Sequence, residues 1–247
     1  MMEALETYRS GVNPARQLLV GDAVIQRMMD PTLPPSVFHR FLIEFSARAV
    51  QITEPVEGWI RRAGERTLAV GLSDVGESLL MHSKHEAGHH LMLIDDTRHL
   101  VAVWNREHPG DLLDAEVLLA EPSTPSIREY IRLHEETIAG EMPYAQVAIE
   151  LEIESMSISV GPKLLEQCKR MLSEDAFKGL SFVTEHVELD VGHSALNAVM
   201  LKKLLDRNPE AAEALGRVGQ RAISAYLGFF QECLALAEAW NSRQARA

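Results

Sequence analysis

Cysteine is nearly absent from this sequence, with two in 247 residues. Cys168 and Cys233 both fall in segments that read as helical, so a disulfide framework and a thiolate metal site are excluded and a reducing cytoplasm is expected. Aromatic residues make up 6% of the chain, and glycine and proline number 15 and 11. A sheet architecture has little to build on, whereas abundant Leu, Ala, Glu and Arg favour long helices. No basic cluster interrupts a net charge of −12, which argues against a phosphate-neutralising nucleic-acid surface. No apolar run approaches the roughly 18 residues of a membrane span, and Glu3 and Glu6 stand where a signal peptide needs a basic start. These absences predict a chain that is neither exported by the usual route nor membrane-spanning.

What is present is a 46% hydrophobic composition, enough for one large core, and residues 1–247 read as a single all-α domain. Asn13-Pro14 has the form of an N-cap followed by proline at the first helical position, opening a helix to about Met29. Further helices are predicted over roughly 36–64 with a kink or break at Pro55, from Ser73 to His99, and up to Ala139 after a loop at Glu107–Asp114 and a short helix. Met142-Pro143 starts a helix to about Ser159, Gly161-Pro162 interrupts it, and Leu164 to Leu172 continues it. Gly179 to Leu205 and Pro209 to Trp240 supply the last two, giving seven or more helices without internal repeats, and the tail NSRQARA is expected to fray.

The chemistry lies where charge interrupts an apolar helical stripe. Steps of three and four from Leu72 give Val75, Leu79, His82, Glu86, His89 and Leu93, with Glu86 and His89 one turn apart. After Pro143 the stepping gives Tyr144, Val147, Leu151, Glu154 and Ile158, while Glu150 and Glu152 fall in more polar rows. After Gly179 it gives Phe182, His186, Leu189 with Asp190, His193, Leu196 and Met200, a His-x3-Asp-x2-His array. Burying these groups costs several kcal/mol, roughly, for each unpaired charge, so they must be paired, protonated or bound to cations. A metal pair meets that need, because mixed imidazole and carboxylate donors with open positions suit dioxygen-activating iron. His82 and His85 are set aside as alternative ligands or as groups orienting one. His39, His90, His99, His108 and His134 read as surface residues, and Cys168 and the Met28-Met29 pair as buried apolar side chains.

The order Glu and His on one helix, a lone Glu on the next and His-x3-Asp-x2-His on a third resembles the haem-oxygenase-like di-iron oxidases and oxygenases. Motifs carry the resemblance over roughly residues 70–200, and the 32 residues from Glu154 to His186 are of the size expected there. It implies a haem-oxygenase-like helical bundle and a metal set of Glu86, His89, Glu154, His186, Asp190 and His193, with no catalytic residue beyond these ligands. Glu86, His89 and Glu154 would lie chiefly around one iron, the last three around the other, with Glu154 as the bridge. The Glu–His spacing is similar to that of the alkene-forming fatty-acid decarboxylase, whereas other members place the Glu seven residues before the His, where this sequence has His82. The activity implied is dioxygen activation through a peroxo-di-iron(III) species. It would oxidise a small amine-, amino-acid- or carboxylate-containing metabolite by N-oxygenation or oxidative C–C or C–N cleavage, in a biosynthetic setting.

Electrons come from an external donor or from the substrate, and a homodimer is compatible with this reading; nucleic acid and membrane are not expected partners. Three rivals share the helical reading. One is a cofactor-free or thiol-using enzyme similar to thiaminase II or the quinone-cofactor-forming oxidase, and another is a non-catalytic helical metal-binding protein. A haem oxygenase proper would need a proximal histidine on the first helix, and Asn13 to Met29 contains none.

Overall fold

The computed structural model describes residues 2–244, and among them the regular structure is helical throughout. The helices are α1 (Met2–Gly21), α2 (Ala23–Met28), α3 (Pro35–Thr53), α4 (Val56–Ala69), α5 (Ser73–His85), α6 (His89–Glu107) and α7 (Ala115–Leu119). They continue with α8 (Pro125–Ala139), α9 (Gln146–Met171), α10 (Glu174–Phe177), α11 (Ser181–Arg207) and α12 (Ala212–Gln244). None of them is long and apolar enough to cross a membrane. The expected fraying of the tail concerns residues that lie partly outside the described ones; within them, α12 continues to Gln244.

The long α12 is the spine, packed against α1, α3, α8 and α9. Its Phe229 and Phe230 meet Phe41 and Phe45 of α3 in one aromatic layer, with ring centroids 5.6 to 6.5 Å apart between the two helices. Against α1 the approach is close enough to require glycine: a Cβ on Gly11 would stand 3.3 Å from the Gly216 Cα.

Two prolines stay inside helices that the sequence reading interrupts. Pro14 lies within α1, which starts at Met2 rather than at Asn13, and Pro162 lies within an unbroken α9. Both are solvent-exposed, so water can take the carbonyl that each deprives of its amide partner, while the opposite faces pack on α12 and α11. The first-helix break comes instead at Asp22, whose carboxylate caps α2 by accepting from the Val24 amide at 2.8 Å.

The third predicted helix is two. It stops at Glu86, and Gly88, with φ +88°, turns the chain before α6 begins at His89; a left-handed glycine of this kind is a common helix stop. Asp96 of α6 then fixes α11. Its carboxylate accepts from the Ser181 and Phe182 amides at 3.0 and 2.9 Å and from the Ser181 hydroxyl at 2.8 Å, capping a first turn whose own preceding residue, Leu180, has no capping side chain.

Glu152, expected on a polar row, is 1% exposed and clamps α9 to α1. Tyr8 donates to it at 2.6 Å, and Arg16 makes a two-pronged contact at 2.6 and 2.7 Å. Replacing Arg16 by Ala strands the carboxylate. A loss of about 2–3 kcal/mol is expected in urea unfolding, less than for a fully enclosed pair because the Arg16 side chain is 37% exposed; a loss under about 0.5 kcal/mol would contradict the clamp.

Candidate metal centre

Helices α5, α9 and α11 and the start of α6 bring the charged stripes together. His82, Glu86, Glu154 and His193 offer donor atoms that all lie within 4.8 Å of one another, and so do Glu86, His89 and His186. Glu86 belongs to both groups. Its C-terminal position on α5 explains this, because the Gly88 turn swings His89 back so that its Nδ1 lies 3.0 Å from Glu86 Oε2.

The first group has a property that hydrogen bonding alone leaves unexplained. His82 Nε2 lies 3.1 Å from Glu154 Oε1 and 3.4 Å from Glu86 Oε1. Yet among the described residues both His82 ring nitrogens, Glu154 Oε1 and His193 Nδ1 are buried without a hydrogen-bond partner, so these atoms are near one another without being aimed at one another. Orphaned buried donors and acceptors of this kind are rare, and two imidazoles with two carboxylates are the chemistry of a divalent transition-metal site.

The surroundings hold these groups in place. The Asn197 amide donates to Glu154 Oε2 at 2.6 Å, and His186 Nδ1 pairs with the Phe182 carbonyl at 2.8 Å, leaving Nε2 for the site. Asp190 is buried and stands 3.7 Å from His193 Nδ1, outside both donor groups.

The electrostatics follow from crowding. Burial alone would lower the His82 pKa, but the Glu154 and Glu86 carboxylates beside it raise it to about 10. Burial would raise Glu86, and His82 and His89 hold it well below the usual carboxylate range instead. Glu154 stays raised, because burial outweighs His82 and Asn197. His193 is raised chiefly by Asp190, and His186 is lowered by burial.

The structure thus gathers Glu86, His89, Glu154, His186 and His193 of the six predicted residues into two donor groups, with Asp190 beside them. It departs from the sequence reading at several of these residues. His82, set aside there, belongs to the first group, whereas His85 is exposed and stacks on His193 at 5.6 Å. Glu86 rather than Glu154 is common to both groups, and His193 groups with Glu154 rather than with His186. Glu150, assigned to a polar row, is buried one turn before Glu154. His39 and His134, read as surface residues, are 1% and 0% exposed. The former pairs with the Leu100 carbonyl, the latter stacks on Trp59 at 4.0 Å, and His108 stacks half-buried on Trp104 at 3.9 Å. Cys168 and Met28 are core, as expected.

The protonated His82 gives the metal-free protein a pH dependence. A raised pKa adds stability that is fully present below the ordinary imidazole value of 6.5 and is lost as pH rises through about 10. Glu150 acts in the same sense: burial raises it to about 8, so its contribution is lost above its ordinary value of 4.5. Melting of chelator-treated protein is expected at progressively lower temperature from pH 6.5 to 10, and a flat or rising profile would contradict the assignment.

No family model and no curated protein matches the sequence. Solved structures match along nearly all of it. A domain of unknown function with a heme oxygenase-like fold from Shewanella denitrificans OS217 superposes with a TM-score of 0.67 at 15% identity, over 95% of this chain and 93% of that one. A TenA homolog from Pseudomonas syringae pv. tomato DC3000 gives 0.69 at 14% identity over 93% and 92%. A CADD-like protein of unknown function from Nostoc punctiforme PCC 73102 gives 0.63 at 17% over 93% and 98%. What is shared at these identities is the path of the backbone, and the chain adopts the heme oxygenase-like fold.

Proposed function

We propose that this chain is a non-haem di-iron oxidoreductase, an oxidase or monooxygenase that uses dioxygen to oxidise a small nitrogen- or carboxylate-bearing metabolite. The observation that carries the reading is the pair of donor groups sharing Glu86, since a carboxylate common to two sets of ligands can span two ions. His82, Glu86, Glu154 and His193 would hold one ion and Glu86, His89 and His186 the other, with Asp190 beside His193 as a further carboxylate. Two iron ions, when bound, supply dioxygen activation.

The protein's own residues prepare this chemistry in three ways. Asn197 and the Phe182 carbonyl hold Glu154 and the His186 ring in one orientation, so the donors need little rearrangement. A cavity of about 120 Å³ opens beside Glu86, His186 and Asp190, giving a small substrate room next to the donors. Its walls include Phe45, Ile52, Met156 and Phe230, apolar side chains that exclude water from the reacting groups. Electrons come from an external donor or from the substrate.

A thiol-dependent enzyme of the same fold finds less support. Neither cysteine lines the cavity, and burial pushes the Cys168 thiol up to about 12 and Cys233 well above its ordinary value.

Anaerobic titration with ferrous iron, followed by iron counting, tests the reading. Wild type is expected to retain two ions. Glu86→Ala should retain fewer than one, because it enters both groups, whereas His82→Ala and His186→Ala should each weaken chiefly one site. Mixing the loaded protein with oxygen should consume it. Fewer than two ions in wild type, or undiminished binding in Glu86→Ala, would overturn the proposal.

A further inference from the structure

The cavity beside the donor groups carries information about what it would hold, given the reading above of those donors as a metal centre. Among the described residues that line it there is no lysine or arginine, and its one imidazole, His186, belongs to a donor group. Its acidic lining consists of Glu86, Glu154, Asp190 and Glu150. The first two are donors and Asp190 adjoins one. Glu150 is in neither group, and among the described residues its one hydrogen bond comes from the Gln146 amide.

That amide is itself held. Gln146 Nε2 lies 2.8 Å from His134 Nδ1, and the His134 ring stacks on Trp59 at 4.0 Å and meets Tyr130 edge-to-face at 4.6 Å. Glu150 is therefore a fixed, buried carboxyl on the wall of the cavity, and among the described residues no Lys or Arg side chain pairs with it. The groups that face it are acidic or neutral apart from His82: Glu86 and His82 from α5, Glu154 from its own helix, and Tyr130 from α8.

We infer that the substrate is an apolar molecule carrying one cationic nitrogen, and that Glu150 is the residue that recognises this nitrogen. An anionic end group placed anywhere but on the metal ions would meet carboxylates, hydrocarbon and the hydroxyls of Thr53, Ser157, Tyr130 and Tyr226, with no Lys or Arg of the lining to offset its desolvation. An ammonium or amidinium finds the reverse: a charge-assisted hydrogen bond to Glu150. The rings of Tyr130 and Tyr226, 5.8 Å apart and nearly perpendicular, also line the cavity and can present aromatic faces to the charge. The remaining wall, Ile153, Val160, Leu164 and Phe182 among others, accepts the hydrocarbon body. Glu150 and Glu154 are four residues apart on α9, so their side chains project about 5–6 Å apart on one face. A nitrogen held by Glu150 thus places itself, or a carbon one or two bonds away, beside the donor groups.

The test compares three probes that share a phenylethyl body: 2-phenylethylamine, 2-phenylethanol and 3-phenylpropanoate. Binding is followed by calorimetry, with and without Zn²⁺, above the pH of about 8 to which burial lifts Glu150. The amine is expected to bind at least about tenfold more tightly than either other probe, the size of one charge-assisted hydrogen bond, and Glu150→Gln should erase that advantage while leaving the alcohol unchanged. Should Glu150→Gln fail to fold, Glu150→Asp keeps the charge on a shorter stem and should retain the preference at reduced affinity. Equal binding of all three, no binding of any, tightest binding of the propanoate, or a preference that survives Glu150→Gln would overturn the inference. The zinc count in the same samples reports on the metal centre separately. Two ions without amine preference refutes this inference alone, and amine preference without ions refutes the metal reading alone.

Discussion

Glu86, Glu150, Glu154 and Asp190 are buried or nearly so within one small volume, together with the imidazoles of His82, His89, His186 and His193, and the helices cannot pack unless that charge is balanced. In the protein alone, a proton on His82 balances part of it. The orphaned atoms of His82, Glu154 and His193 show that the balance is incomplete as hydrogen bonding, and divalent cations would complete it. Much of the architecture serves this constraint. The Gly88 turn brings Glu86 and His89 to one point, Asp96 sets the start of α11 relative to α6, and the Arg16–Glu152–Tyr8 clamp keeps a further carboxylate of α9 out of the site by pairing it with α1.

The all-helical class, most helix positions and five of the grouped donors were legible because a step of three or four residues identifies a helical face without knowledge of the fold. The His-x3-Asp-x2-His array needs only that rule, since all three residues lie on one continuous helix, α11. Glu86 and His89 satisfied it for a reason that the structure revises: Glu86 caps the end of α5 and His89 opens α6, and the turn rather than the helical pitch brings them together. Glu-Ala-Gly was the available signal, a left-handed glycine following a helix whose last turn holds His82, Lys84 and His85.

Where the sequence misled, the cause was tertiary. Pro14 and Pro162 look like helix boundaries, but each sits on a face open to water while the other face is anchored. Glu150, Glu152 and Glu154 alternate along one helix and all three are buried, which no single stripe allows. α9 has neighbours on several sides, with α1 supplying a cation to Glu152, α8 and the cavity facing Glu150, and α11 supplying Asn197 to Glu154. His39 and His134 were misread as surface residues for the same reason, their partners being a carbonyl from α6 and an indole from α4. Polar residues of this sort are buried by what lies across from them, and stripe patterns carry no record of that.

The heme oxygenase-like backbone is shared with proteins under 20% identical, so the chemistry has to be argued from the donors and the cavity rather than from the fold. The central claim is that two metal ions sit between α5, α6, α9 and α11. Anomalous diffraction from a crystal grown anaerobically with ferrous iron, recorded on both sides of the iron absorption edge, tests it most directly. The account predicts two peaks, one among His82, Glu86, Glu154 and His193 and one among Glu86, His89 and His186, with Glu86 between them. A single peak, or density there explained by side chains hydrogen-bonded to one another, would contradict it.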